Sequence, residues 1–171
     1  QAEDGVRDVE RSRGLGDVYK RQGAVTVRGE SVKAAGFEIS FTPGQERLKE
    51  AVLQAYRKRL FTPPDPAEVA DELGENPREV ETVVTGLCEL GGLKRLAGPE
   101  GKVFYFHTEA LEEARRRLIE FFAAHEEMRF YEFRELLGST RKFTTPILMH
   151  FDAEGLTYRE GEVRKLRHLE E

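Results

Sequence analysis

Leu73-Gly74 and Leu137-Gly138 stand 64 residues apart in this chain, and Gly92-Leu93 and Gly155-Leu156 stand 63 apart. An offset so nearly constant marks an internal repeat, and a repeat folds as two copies of one unit. The first copy opens with "FTPGQERLKEAVLQAYRKRL" (41–60), a helix with Thr42 as N-cap, Pro43 in its first turn and an apolar stripe of Leu48, Val52, Ala55, Tyr56 and Leu60. "FTPPDPAEVADELG" (61–74) follows as an extended segment and a short helix capped by Asp65 and opened by Pro66. Asn76-Pro77 starts a third helix with the stripe Val80, Val83, Val84, Leu87 and Leu90. "LKRLAGPEGKVFYF" (93–106) closes the copy as two strand-like runs about a Gly-Pro-Glu-Gly turn.

The second copy repeats the order. "EALEEARRRLIEFFAAHEE" (109–127) is a helix with Leu111, Leu118, Ile119 and Phe122 inward. "MRFYEFRELLG" (128–138) is a short strand and short helix, "STRKFTTPILMHFDAEG" (139–155) the third helix, and "LTYREGEVRKLR" (156–167) a hairpin. Helix, short strand, helix, turn, helix and two-stranded wing is the winged-helix variant of helix-turn-helix, whose third helix usually faces nucleic acid. The expected fold is therefore mostly α with small β-wings: tandem winged-helix domains at 41–108 and 109–171. Residues 24–40 read as the end of a preceding winged helix and a linker. Residues 1–23 mix charge and glycine without apolar periodicity and read as a disordered or non-native leader, since "GLGDVYKRQ" (14–22) looks like translated sequencing-adapter sequence. The chain begins at Gln1 and reads as a fragment.

Charge separates the copies. The net charge is −5, yet residues 138–168 carry six basic against four acidic groups. The first third helix opens "ENPREVE", which repels phosphate, so this copy reads as a spacer. The second opens "STRKFTT". With Ser139 or Thr140 as cap, Arg141 and Lys142 fall in the first turn, where backbone amides already favour anions. Pro146 either kinks this helix or starts its regular part from Thr145, and both options leave Arg141 to Phe143 at a helix entrance. Phe143 reads either as core or as a stacking platform, and Tyr131 and Tyr158 as partly buried. A three-residue loop in the wing puts Leu156, Tyr158, Arg164 and Leu166 on one face and Arg159, Val163, Lys165 and Arg167 on the other; a two-residue loop swaps the second strand's assignments. The second copy, with its full set of elements, is expected to bury its own core of Leu118, Phe122, Leu136, Leu148, Phe151 and Leu166, and to bind without the first.

Several function classes are excluded. No apolar run approaches the ~20 residues of a membrane span. The chain lacks a G-x-x-x-x-G-K-[ST] phosphate loop. His107, His125, His150 and His168 are scattered, and Cys88 has no cysteine partner, which leaves no metal spacing and favours a reducing compartment. His125 and His168 read as surface groups, and His150 as a helix-face residue. No catalytic site is expected.

"FRELLGSTRKFTTPILMHFDAEGLTYREGEVRKL" (133–166) resembles the last winged helix of SelB, the bacterial selenocysteine-specific elongation factor. The resemblance rests on Ser/Thr followed by Arg141-Lys142, the aromatic Phe143, Pro146, a leucine-bearing helix, and a wing of Gly155-Leu156-Thr157 with Arg159-Glu160-Gly161. "GFEISFTPGQERL" (36–48) and "FTPPDPAEVADELG" (61–74) are similar to the same family's penultimate winged helix, so the resemblance covers about residues 24–168. It implies a cytoplasmic, monomeric translation factor that reads an mRNA hairpin just past a UGA codon. The implied RNA-binding residues are Ser139, Arg141, Lys142, Phe143 and Thr144 at the helix entrance, with Arg159, Arg164, Lys165 and Arg167 on the wing. GTP, magnesium, selenocysteinyl-tRNA and the ribosome are implied for the family's other parts, with no cofactor on these residues. A tandem winged-helix DNA-binding regulator and a protein-interaction scaffold are the alternatives. Base reading along the third helix needs polar residues there, whereas past Thr145 it shows Pro146, Ile147, Leu148 and Met149.

Overall fold

The computed structural model describes residues 25–28, 31–34 and 39–167. The expectations for residues 1–23 and for His168 lie outside them. The chain divides into two compact units, residues 1–40 and 41–171. In the first, β1 (Val25–Arg28) pairs antiparallel with β2 (Ser31–Ala34), Val25 opposite Ala34 and Arg28 opposite Ser31.

In the second unit, helix starts are set by local chemistry. Helix α1 (Pro43–Lys58) begins with a reciprocal box: the Gln45 amide donates to Thr42 Oγ1 at 3.3 Å and the Thr42 amide to Gln45 Oε1 at 3.0 Å. Helix α2 (Pro66–Leu73) follows Asp65, whose Oδ1 accepts the Ala67 and Glu68 amides, each at 3.0 Å. Helix α3 (Pro77–Leu90) follows Asn76, whose Oδ1 accepts the Arg78 amide at 2.9 Å. Strands β3 (Leu93–Ala97) and β4 (Val103–His107) form the first wing, Leu93 opposite His107 and Ala97 opposite Val103.

Helix α4 (Thr108–Phe122) starts without a linker, capped by His107, whose Nδ1 accepts the Glu109 amide at 3.2 Å. Burial holds that imidazole's pKa below its ordinary value, so it stays the neutral acceptor the cap needs. β5 (Met128–Arg129), α5 (Phe130–Leu137) and α6 (Arg141–Ala153) follow, then β6 (Thr157–Glu160) and β7 (Val163–Leu166). β5 pairs with β7, so the second wing is a three-stranded sheet ordered β5-β7-β6. Gly74 and Gly138, 64 residues apart, end α2 and α5 at φ of 66° and 60°. That left-handed cap disfavours any residue with a Cβ, which explains the recurrence of glycine at both places.

Two apolar cores result, and the first wing serves both. Leu93 and the half-buried Tyr105 pack with Val52, Tyr56, Val80, Val83 and Leu87 of the first helix set. Leu96, Phe104 and Phe106 pack with Leu111, Leu118, Met128, Phe133, Ile147, Leu148 and Phe151 of the second. Successive strand residues point to opposite faces, so β4 directs Tyr105 one way and Phe104 and Phe106 the other. The second set therefore does not bury a core of its own alone. Of its expected members, Leu118, Leu148 and Phe151 are buried, while Phe122, Leu136 and Leu166 are only partly so.

Polar contacts reinforce the junction. The Arg57 guanidinium binds the Glu109 carboxylate, with Nε 2.9 Å from Oε2. Arg117 lies 5.1 Å from the Phe61 ring centroid and donates to the Leu136 carbonyl at 3.0 Å. Two stripe assignments change. Leu90, the last residue of α3, and Ile119, outside the α4 stripe of Ala110, Leu111, Ala114 and Leu118, are 54% and 45% exposed. Helix α4 also stops at Phe122, short of the expected 127.

Phe106 is fully buried where the first wing packs into the second core, so Phe106→Ala should lose about 3–5 kcal/mol in chemical denaturation. Residues 108–171 alone should melt without a cooperative transition, because they lack Leu96, Phe104 and Phe106. A sharp melt of that segment would contradict the shared core.

Candidate nucleic-acid interface

Helix α6 starts at Arg141 and runs through Pro146, which settles the two options for that proline against a start at Thr145. Pro146 has no N–H to offer the Lys142 carbonyl. The Thr144 and Thr145 hydroxyls donate back to the Thr140 and Arg141 carbonyls at 2.9 and 2.8 Å. Neither candidate cap acts through its side chain. Thr140 occupies the N-cap position without a side-chain bond, and the Ser139 hydroxyl donates to the Phe61 carbonyl. Ser139 thus pins the helix entrance to the segment following α1.

The α6 start differs from every other α-helix start among the described residues. The others carry Glu46, Glu68, Glu79, Glu109 and Glu132 in the first turn; α6 carries no acid there. Acids neutralise the positive end of a helix, whereas Arg141 and Lys142 add to it. Both are exposed, and neither forms an ion pair among the described residues. Aromatic faces hold them instead: Arg141 is 5.6 Å from the Phe130 centroid, and Lys142 Nζ is 4.8 Å from Phe143 and 5.9 Å from Phe104. Phe143 is half-buried, edge-on to Phe104 at 5.8 Å, so it belongs in part to the core. Thr144 is fully buried and supports the entrance from beneath.

The wing sorts its cations. Thr157 faces Leu166, Tyr158 faces Lys165, Arg159 faces Arg164 and Glu160 faces Val163, which leaves the two-residue loop Gly161-Glu162. Cross-strand partners share a face, so Arg159 stands with Arg164, and Tyr158 with Lys165, as the two-residue option requires. Arg164 is not free. Its side chain is 15% exposed, and its Nη2 is 3.1 Å from Asp152 Oδ2. Thr157 donates to Asp152 Oδ1 at 2.6 Å. Asp152, which sequence reasoning passed over, thus clamps both wing strands to α6. Lys165 pairs with Glu160, which raises its pKa. Arg159 donates to the Gly161 carbonyl at 2.8 Å, and Arg167 lies 6.0 Å from the Tyr158 centroid. Tyr131 and Tyr158, expected partly buried, are 47% and 37% exposed.

The candidates therefore divide. Arg141, Lys142, Arg159 and Arg167 present unpaired cations among the described residues; Ser139, Thr144, Arg164 and Lys165 are engaged in holding the structure. Sequence reasoning also missed Lys102 at the first wing, which lines the same cavity as Lys142. No group of His, Cys, Asp and Glu among the described residues could hold a metal. Burial raises the Cys88 thiol pKa, which keeps it a thiol and a poor nucleophile. No described helix is long and apolar enough to cross a membrane.

The fold and its charge pattern define a tandem winged-helix array with one cationic recognition-helix entrance. Residues 120–166 match the family model described as the winged helix of elongation factor SelB. The selenocysteine-specific elongation factor of Desulfomicrobium baculatum is 28% identical over 147 residues, which are 86% of this chain and 23% of the relative. The chain thus spans about a quarter of the curated relative it matches. Among solved structures, the mRNA-binding domain of SelB from E. coli, in complex with SECIS RNA, aligns with a TM-score of 0.54 at 21% identity, covering 74% of this chain and 99% of that one. The bacterial selenocysteine-specific elongation factor EF-Sec aligns with a TM-score of 0.54 at 19% identity, covering 90% of this chain and 23% of that one. Each is a likeness, and together they show that residues 120–166 resemble the SelB winged helix and that the tandem array shares its fold with the SelB mRNA-binding domain.

Removing Asp152 would leave the largely buried Arg164 charge and the Thr157 hydroxyl without their acceptor. Asp152→Ala should reduce stability by about 1–3 kcal/mol, and Arg164→Ala should also destabilise the fold. Denaturation midpoints equal to wild type for both would refute the clamp.

Proposed function

We propose that this chain is the mRNA-reading arm of a selenocysteine-specific elongation factor. In this reading it holds an RNA hairpin beyond a UGA codon so that selenocysteine is inserted there. The α6 entrance carries the reading: it is the one α-helix start among the described residues without a first-turn acid, it bears Arg141 and Lys142, and it lies within the SelB-matching segment. A helix N-terminus and two unpaired cations bind phosphate together, and Arg159 and Arg167 on the wing extend the contact. Selenocysteinyl-tRNA, the ribosome, GTP and magnesium are assigned to other parts of a longer cytoplasmic factor, and none to a residue here.

Duplex DNA is the weaker alternative. The α6 residues past the first turn include buried Pro146, Ile147 and Leu148 and exposed Met149, which offer few hydrogen bonds to a groove. An entrance-plus-wing clamp fits the unpaired bases of a compact loop.

Arg141→Ala and Lys142→Ala should each weaken hairpin binding by about 1–3 kcal/mol with the melting temperature unchanged. Affinity should fall with salt at a slope equivalent to about 3–5 phosphate contacts. Fluorescence-anisotropy titration with RNA hairpins of fixed stem and randomised loop measures both; wild-type affinity in the two variants would overturn the assignment.

A further inference from the structure

A cavity of about 280 Å³ opens where the two helix sets meet, and the interface described above accounts for only one side of it. Lys142 and Phe143 of α6 form that side, and Lys102, Phe104 and Tyr105 of the first wing contribute from the other. Pro63 and Pro64, both buried, add a rigid apolar wall.

The lining has the chemistry of a nucleotide site. Phe143 and Phe104 lock each other edge to face at 78°, which fixes the aromatic wall. Lys102 and Lys142 are exposed, and neither is in an ion pair among the described residues. Asp65 is the only carboxylate in the lining, and its Oδ1 is already occupied by the first amides of α2. A slot of mixed aromatic and polar lining with a net positive charge complements a flat base carrying phosphates. Its volume lies at the lower end of ligand pockets, enough for one base and not for a large ligand. The slot is also continuous with the α6 entrance through Lys142 and Phe143.

We propose that this cavity takes one unpaired base of the bound RNA, with Lys102 and Lys142 on the flanking phosphates. The proposal rests on the hairpin reading above and assigns the first helix set a direct part in it. The first set is then no spacer: its wing completes the binding surface. Stacking of exposed bases on aromatic walls supplies affinity that tolerates sequence, and the fixed depth of the slot selects where along the loop it occurs.

The test uses the full chain and an RNA hairpin of fixed stem enriched from a randomised-loop pool on the wild-type protein. Wild type, Lys102→Ala and Arg141→Ala are titrated with that hairpin and with versions abasic at each loop position in turn. Lys102→Ala should bind roughly five- to tenfold more weakly and lose about one unit of salt slope. One abasic position should weaken wild type by roughly tenfold yet affect Lys102→Ala much less, the non-additivity expected of contacts to one nucleotide. If Arg141→Ala loses affinity while Lys102→Ala binds as wild type, the cavity proposal is wrong and the α6 interface stands. Additive effects at every abasic position would reduce Lys102 to a distant phosphate contact and likewise sink the cavity. Wild-type affinity in both variants would overturn the RNA reading and the cavity with it.

Discussion

The structure of the second unit depends on the β3–β4 hairpin being buried on both faces. Tyr105 and Leu93 seal the first core, while Leu96, Phe104 and Phe106 seal the second. A wing with one wet face would leave two domains joined by a hinge. This one makes a common wall, so each helix set is incomplete without it. Because α4 begins at Thr108, one residue after β4 ends, the wall also fixes where the second helix set starts. Ser139 bonding to the Phe61 carbonyl and Arg57 to Glu109 tie the same junction from the outside.

Under the proposed hairpin reading, that shared wall bears on how an acidic chain would approach RNA. The chain carries a net charge of −5, so long-range attraction to phosphate is unfavourable over most of its surface. Arg116 and Arg117 are neutralised by Glu113, whose pKa they pull down to about 2, together with Glu120 on Arg116, and Arg59 by Glu72. Arg141 and Lys142 form no such pair, and α6 lacks the first-turn acid that the other helices carry. Other cations, Arg47, Lys58, Arg78, Lys94, Arg95 and Arg129, are also outside ion pairs among the described residues, but none of them sits in a first helical turn that lacks an acid. What sets this patch apart is the coincidence of two unpaired cations with a helix N-terminus that no first-turn acid neutralises.

Much of this was legible in the sequence. The caps at Thr42, Asp65 and Asn76 are local, and the Leu-Gly and Gly-Leu landmarks report the repeat directly. The shared wall was not read, although "VFYFH" (103–107) has no polar alternation and so signals burial on both faces. Roles that depend on tertiary register were beyond reach. Arg164 looks like Arg159 in sequence, but the two-residue loop turns it onto Asp152. Thr144 follows two exposed cations and a half-buried ring, yet helical spacing rotates it wholly inside. Lys102 and Lys142 lie 40 residues apart in sequence, and only the packing of the first wing against α6 brings them to one cavity.

The central claim is that a rigid tandem array presents one cationic helix entrance to an unpaired RNA loop. Its most direct measurement is a set of parallel titrations of the chain. The partners are a loop-enriched RNA hairpin, the DNA hairpin of the same sequence and the fully paired RNA stem, each followed across salt concentrations. The account predicts that the RNA hairpin binds at least about tenfold more tightly than the other two, since unpaired bases and the 2′-hydroxyl contribute beyond phosphate charge. Equal affinity for all three, converging at every salt concentration, would contradict it.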